Sequence, residues 1–198
     1  MPAMSPFESG FCRGAGWRTF AGRAVLPWAL QGEPLDDDVL EIGGGSGAMA
    51  ARLLATHPTL RITVTDYDQA MVAAARTHLA PFADRADVQQ ADATRLPFPN
   101  DRFGAVLSFI MLHHVIDWEA ALGEAVRVLR PGGVLIGYDL VASRLARWLH
   151  QAEGARHRLA TLGQLRDRLD DLPTEMVTVR AGLAGLVVRF CARKPLGL

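Results

Sequence analysis

The stretch Val39–Gly47, VLEIGGGSG, constrains this chain more than any other. An apolar pair, Val39-Leu40, continues through an acid and Ile42, then breaks into glycines at 43, 44, 45 and 47. An apolar-rich segment of helical character follows. That succession predicts a buried strand, a tight turn and a helix N-terminus. Glycine takes positive φ without steric cost and lets a ligand approach the backbone with no Cβ in the way. The first N–H groups of the helix would point into the same space. Glu41 is the unusual residue. A carboxylate at the end of a buried strand is costly unless a cation or hydrogen-bond donors meet it.

Beyond that stretch the chain alternates. Ala48–His57 is predicted helical and stops before Pro58, and Arg61–Thr65 is a short β-branched strand. Gln69–Leu79 is helical and ends before Pro81; Ala86–Gln90 and Arg102–Ser108 are the third and fourth strands. Trp118, Leu122, Ala125, Val126 and Leu129 share one helix face, Pro131-Gly132-Gly133 ends that helix, and Val134–Leu140 is the fifth strand. Strands alternating with helices predict an α/β fold, a parallel sheet wound with helices on both faces. Further on, Ser143–Leu149 and Leu159–Leu169 look helical. Glu175–Arg180 and Leu186–Ala192 look like strands about a turn at Gly182 and Gly185. A hairpin there gives the sheet one antiparallel strand.

Residues 1–34 are expected to form a helical segment ahead of a single domain over residues 35–198. Trp17, Phe20, Ala21, Ala24, Val25 and Trp28 recur at helical spacing, and Pro27 should kink or end that helix near Leu26. The segment is either an amphipathic helix packed on the sheet edge or a lid over a bound molecule. As a lid it would offer Arg13 or Arg18 to a carboxylate and Trp17 to a ring or cationic face.

Charge and cysteine usage narrow the class. Formal net charge is +0, so nothing global attracts nucleic acid or an anionic membrane. Residues 143–198 carry ten basic and five acidic side chains, either a solvated face or a docking patch for an acidic partner. Cys12 and Cys191 are the two cysteines, with no ligand spacing around them, which argues against a disulfide framework or a metal site. The apolar run near Val106–Leu112 is too short to span a bilayer, and no secretory signal opens the chain. The expected location is the cytoplasm. Of 21 basic residues all but Lys194 are arginine, a bias associated with GC-rich bacterial genomes.

Two ligand families use a glycine loop of this kind. Gly43-x-Gly45-x-x-Ala48 satisfies the dinucleotide fingerprint, with Asp66 about 20 residues beyond. The acid inside the strand points elsewhere: E-x-G-x-G-x-G over residues 41–47 resembles motif I of the class I S-adenosylmethionine-dependent methyltransferases. Val64–Asp68, VTDYD, looks like that family's second strand with its terminal acid. Gln90-Ala-Asp-Ala93 followed by LPFPNDRFGAVLS is similar to a further family stretch, with Gly104 where an aspartate is usual. LHHVIDWEAALGEAVRVLRPGG, residues 112–133, resembles the ubiquinone-biosynthesis type of small-molecule methyltransferase. These pieces span Val39 to about Leu140 in the family's order.

The resemblance implies a seven-stranded sheet in order 3-2-1-4-5-7-6 with the last strand antiparallel. It also implies a cofactor, S-adenosylmethionine, with S-adenosylhomocysteine as product. Glu41 would meet the ammonium end, and Gly43, Gly45 and Gly47 would make room for the methionine and ribose portions. Asp66 would accept both ribose hydroxyls, and Tyr67 would pack on the adenine. Asp92 would accept from adenine N6 with the Ala93 backbone nearby. Ser108 and Phe109 would offer backbone groups to the methionine part. Asp68 is better explained as the N-cap of the next helix, and Asp101 as part of the Pro-Asn-Asp turn.

Methyl transfer from a sulfonium is an in-line displacement, and positioning alone accelerates it strongly. A base is needed only where the acceptor's proton must leave early. His113 and His114 follow the fourth strand and are the candidates, as base, hydrogen-bond partner or mere packing. Asp139, ending the fifth strand, is a weaker one. No Asn-Pro-Pro-Tyr follows the fourth strand, where the chain reads SFIM, and no Pro-Cys pair is present. Neutral charge further disfavours nucleic acid. The expected partner is a small, partly apolar acceptor methylated at O, N or C, with a homodimer or residues 1–34 closing its pocket. Two competing readings are a nicotinamide oxidoreductase, which the lack of a catalytic Tyr/Lys pair disfavours, and a non-catalytic binding or scaffold protein.

Overall fold

The computed structural model describes residues 25–30, 32–35, 37–142, 158–182 and 185–197. The expected helix Ser143–Leu149 and most of the expected N-terminal segment, with Arg13, Trp17 and Arg18, lie outside the described residues. Helix α1 is Leu26–Leu30. Strand β1, Asp38–Ile42, and helix α2, Ala48–Thr56, flank the glycine loop. Then come β2 (Arg61–Asp66), α3 (Gln69–Leu79), β3 (Ala86–Gln90), β4 (Phe103–Phe109), α4 (Trp118–Val128) and β5 (Leu129–Leu140). Helix α5 (Leu162–Asp171) precedes the hairpin of β6 (Glu175–Gly182) and β7 (Val187–Arg193).

The strands form one sheet in the order β3-β2-β1-β4-β5-β7-β6. Strands β1 to β5 pair in parallel, and β7 is antiparallel to both neighbours. This is the order the family resemblance implies. The apolar strand β4 is buried at all of its seven positions, as a central strand covered on both faces must be. One core cluster joins Leu40, Val106, Leu135 and Phe190 to α4 and α5. The other joins Val39, Leu107, Ile136 and Tyr138 to α1, α2 and α3. Odd and even strand positions thus serve opposite faces, the period-2 consequence of the pleat.

Parallel register brings the strand ends to one edge. Ile42 pairs with Thr65 and Ser108, Asp66 with Gln90, and Ser108 with Gly137. Ligands of open α/β sheets bind along this carboxyl edge.

Two boundaries differ from expectation. The fifth strand was expected from Val134, but it begins at Leu129 and carries Pro131-Gly132-Gly133 within it. A register shift between Phe103 and Ala105 absorbs the proline, which has no N–H for the ladder. Helix α5 starts at Leu162, not Leu159, because Thr161 caps it in a reciprocal box with Gln164. Pro27 lies at the second position of α1, Leu26–Leu30; the helix that it was expected to kink or end lies mostly outside the described residues.

Candidate active site at the carboxyl edge

The loop after β1 is pinned from beneath. The Gly44 N–H donates to the Thr65 carbonyl at 3.0 Å, and Gly47, left-handed at φ 75, caps α2. Two of its glycines answer different needs. Gly43, at φ 63, lies against Met111, and a Cβ there would stand 2.6 Å from the Met111 Cβ. Gly45, at φ 55, would direct a Cβ into open space with nothing within 4 Å. Of the three glycines expected to make room, Gly43 and Gly47 are therefore held by packing, against Met111 and Leu79, and Gly45 alone faces outward.

Glu41 lies under this loop. Its side chain is 2% exposed, its Oε2 has no hydrogen-bond partner, and a Cβ on Gly44 would stand 3.2 Å from that oxygen. Burial pushes the Glu41 carboxyl up to about 8, against the pull of the Ala50 backbone N–H and with a further push from Asp66. An orphaned buried carboxylate is expensive, and a cation would relieve it.

Asp66 ends β2. Its Oδ2 accepts the Gly45 N–H at 2.8 Å and its Oδ1 accepts the Asp68 N–H at 2.9 Å. Burial raises its carboxyl above the ordinary value, while those two N–H groups draw it back. A carboxylate has about four acceptor positions, so two lone pairs remain after these bonds. Tyr67 is 42% exposed beside it. Asp68 caps α3 through the Ala70 N–H, as expected.

Asp92 follows β3 and braces its own turn: its Oδ1 accepts the Thr94 N–H at 2.9 Å and the Thr94 hydroxyl at 2.7 Å. Ala93 beside it is buried. At the end of β4, Ser108 is fully buried with its Oγ lacking a partner, and Phe109 packs on Tyr138 at 5.2 Å between ring centroids. The chain then turns at Ile110, whose φ is 49 and whose N–H donates to the Tyr138 carbonyl.

The histidines occupy a 3-10 turn, Leu112–His114, on the far side of Met111. His113 is 4% exposed, and its Nδ1 lies 2.5 Å from Asp139 Oδ1. His114 is half-buried and stacks on His113 at 3.9 Å. Asp139 also accepts the Leu112 and Leu140 N–H groups, each at 2.6 Å. The strength of this pairing is not visible in sequence, where the only signal is an acid ending the fifth strand. Trp28 and Arg189 are equally hidden. The Arg189 guanidinium lies over the Trp28 ring at 5.2 Å and donates to its carbonyl, and Trp28 meets Tyr138 edge-on at 5.6 Å.

Glu41 near the end of β1, Asp66 at the end of β2 and Asp92 two residues beyond β3 thus lie along the carboxyl edge of three adjacent strands. Residues 40–137 match the family described as Methyltransferase domain. This stretch belongs to that family. A demethylmenaquinone methyltransferase of Clavibacter sepedonicus is 34% identical over 144 residues, which are 66% of this chain and 55% of that protein. The chain spans about half the length of the curated relatives it matches. A structure solved as a complex of the Haloferax volcanii Trm112 methyltransferase activator aligns at a TM-score of 0.80, 18% identity and 97% of each chain. The [4+2]-cyclase SpnF aligns at 0.76 with 21% identity, over 93% of this chain and 85% of that one. These solved structures share the class I methyltransferase fold with this chain, and the fold alone does not fix the chemistry. Among the described residues, no helix is long and apolar enough to cross a membrane.

Proposed function

We propose that this chain transfers a methyl group from S-adenosylmethionine to a small-molecule acceptor. The observation that carries the reading is Glu41: a buried carboxylate with an orphaned oxygen under an open glycine turn. It suits the ammonium of the cofactor's amino-acid end. Bound here, S-adenosylmethionine would supply an electrophilic methyl group on a cationic sulfur.

The remaining residues suit the other parts of that molecule. Asp66 has lone pairs left for two cis hydroxyls of a ribose, while its bond to Gly45 sets the height of the loop. Tyr67 presents an exposed ring to the adenine. Asp92 and the Ala93 backbone serve the adenine edge, and the ends of Ser108 and Phe109 border the methionine portion. Gly45 admits the ligand backbone-close; Gly43 lets Met111 and the following histidine turn pack against the loop. His113 and His114 stand on the acceptor side. The names of the relatives make a hydroquinone ring the first acceptor class to test, with methylation at carbon. A free Cys191 fits a reducing compartment, the cytoplasm. Residues 1–34 serve as a lid in this reading, anchored where Arg189 clamps Trp28.

Calorimetric titration of S-adenosylmethionine and S-adenosylhomocysteine into wild type and Asp66→Ala tests the proposal. Micromolar binding is expected, weakened by the substitution at least tenfold, or about 1.4 kcal/mol. Absence of binding by both ligands to folded wild-type protein overturns it.

A further inference from the structure

We propose that His78 is a positioning residue for the cofactor turn: its Nδ1–H holds the Ser46 carbonyl and so fixes which way the Ser46–Gly47 peptide faces. The inference rests on the methyltransferase reading and deepens its cofactor half.

The turn needs such a hold. Between positions 43 and 47, Ser46 is the one residue that is not glycine. Glycine adopts either sign of φ with little difference in energy, so peptide planes beside it rotate at small cost. Gly47, at φ 75, is such a residue. Rotation of the Ser46–Gly47 peptide would exchange the places of its carbonyl and its N–H. In a turn that presents N–H groups to a ligand, a misplaced carbonyl oxygen removes a donor and sets a repulsive acceptor in its place.

The hold comes from the end of α3. His78 is half-buried in the last turn of that helix, and its Nδ1 lies 3.1 Å from the Ser46 carbonyl oxygen. A carbonyl can only accept, so Nδ1 carries the hydrogen. The N–H of the same peptide, that of Gly47, donates to the Gly44 carbonyl at 2.9 Å. Both ends of one peptide plane are thereby taken. Ser46 is 8% exposed, and a Cβ on Gly47 would stand 3.1 Å from Leu79 Cδ1 and 3.4 Å from Ala75 Cβ. Helix α3 therefore fills this side of the turn, while Gly45 faces open space.

A histidine in a last helical turn ordinarily serves its own helix, as a cation near the terminal carbonyls. His78 differs on two counts. Its Nδ1 bonds a carbonyl 32 residues away, on the glycine turn and not on α3. The other end of α3 is tied to the same turn. Asp66 accepts the Gly45 N–H through Oδ2 and the Asp68 N–H through Oδ1, and Asp68 caps α3 through the Ala70 N–H. Between these ends Arg76 donates from Nε and Nη2 to the Val88 carbonyl of β3, at 3.2 and 3.0 Å. The contacts close a circuit: Gly45 to Asp66, Asp66 to the start of α3, and the end of α3 back to Ser46. A turn held from both ends of a rigid element keeps its geometry before the ligand arrives, which lowers the cost of binding.

The test uses the full chain with His78→Leu, His78→Asn and His78→Gln. His78→Leu keeps most of the bulk and loses the donor. His78→Asn returns an amide N–H near the position of Nδ1, and His78→Gln places its amide further out, near Nε2. Calorimetry with S-adenosylhomocysteine should show affinity about three- to tenfold weaker in His78→Leu, the scale of one hydrogen bond. His78→Asn should return to within about twofold of wild type, and His78→Gln should not. Imidazole 15N spectra of wild type should show a hydrogen on His78 Nδ1. A residue that only stabilises α3 would lower the denaturation midpoint of His78→Leu and leave its affinity within about twofold of wild type, and that result overturns the proposal. Rescue by His78→Gln as complete as by His78→Asn, or an Nδ1 without hydrogen, overturns it too. Should His78→Leu not fold, the contrast between His78→Asn and His78→Gln and the wild-type spectrum still decide. Folded wild type that binds neither S-adenosylmethionine nor S-adenosylhomocysteine sinks the methyltransferase reading and the cofactor role with it. Weaker binding confined to the variants cannot be confused with that outcome.

Discussion

Asp66, at the end of β2, accepts the Gly45 N–H at 2.8 Å across 21 residues of sequence. One side chain thus shapes the glycine turn and lines the space above it. Replacement by asparagine keeps the size and removes the charge. Hydrogen bonds to charged groups contribute about 1.5–3 kcal/mol, so Asp66→Asn should lose about 2 kcal/mol of stability in chemical denaturation. It should also lose at least tenfold in affinity for S-adenosylhomocysteine. Loss of affinity with an unchanged denaturation midpoint would show that the brace to Gly45 is energetically empty.

Glu41 makes the stability of the ligand-free protein depend on pH. Its carboxyl is pushed up to about 8 by burial. Between the ordinary carboxyl range and that value, the folded chain holds a proton that the unfolded chain has released. Stability is therefore full at acid pH and falls by about 1.4 kcal/mol per pH unit as pH rises toward 8. Thermal melts of wild type should show this decline from pH 5.5 to 8, and Glu41→Gln should flatten it. Parallel slopes in the two proteins would show that Glu41 is ionised throughout. Asp66, the charged neighbour on β2, adds to the push, so the same melts in Asp66→Asn should show a shallower decline than wild type.

The same site links cofactor to proton. A ligand ammonium placed at Oε2 favours the carboxylate, so binding near neutral pH should release a proton. Calorimetric enthalpies in buffers of different ionisation heat should differ in wild type and converge in Glu41→Gln. Identical wild-type enthalpies in all buffers would contradict the linkage.

Gly43 and Gly45 should fail in different ways when changed to alanine. Both have positive φ, which costs a side chain about 1 kcal/mol. Gly43→Ala adds a clash with Met111 at 2.6 Å, so it should be destabilised by more than about 2 kcal/mol. Gly45→Ala meets nothing and should lose only the about 1 kcal/mol of the positive φ in denaturation, while losing cofactor affinity. Equal stability losses would contradict the packing difference.

Lys194, the chain's only lysine, is a structural clamp. Its Nζ donates to the carbonyls of Val126, Arg127 and Leu129 at the end of α4, and to Asp101 at 2.8 Å. A cation at a helix C-terminus is favourable, and its removal orphans those oxygens. Lys194→Met should cost about 2 kcal/mol in denaturation and leave S-adenosylhomocysteine affinity unchanged. A midpoint equal to that of wild type would show that water replaces the ammonium at no cost.

Much of this molecule is legible in its local pattern. The spans Gln69–Leu79 and Ala86–Gln90 follow from periodicity and from Pro81, and Asp68 is a recognisable cap. Val39–Gly47 announces strand, turn and helix because each step is chosen within a few residues, by burial, by glycine and by an N-terminus. The apolar runs fix a covered parallel sheet, and the acids near the ends of β1 and β2 and just after β3 lie along its carboxyl edge. None of this depends on a distant residue.

The tertiary structure alone decides matters that join separated segments. Gly43 and Gly45 look alike in sequence, but only Met111, 68 residues on from Gly43, distinguishes them. His113 and His114 are adjacent and chemically identical. The register of β5 against β4 places Asp139 under one and not the other. Pro131-Gly132-Gly133 looks like a terminator, and the ladder to β7 holds it in a strand through Lys194. Glu41 is an oddity in the sequence, and only the packing leaves its Oε2 buried without a partner beneath Gly44. Local preference chooses each element within a few residues. Which lone pair is left over is set by packing among chains of contacts that sequence spacing does not contain.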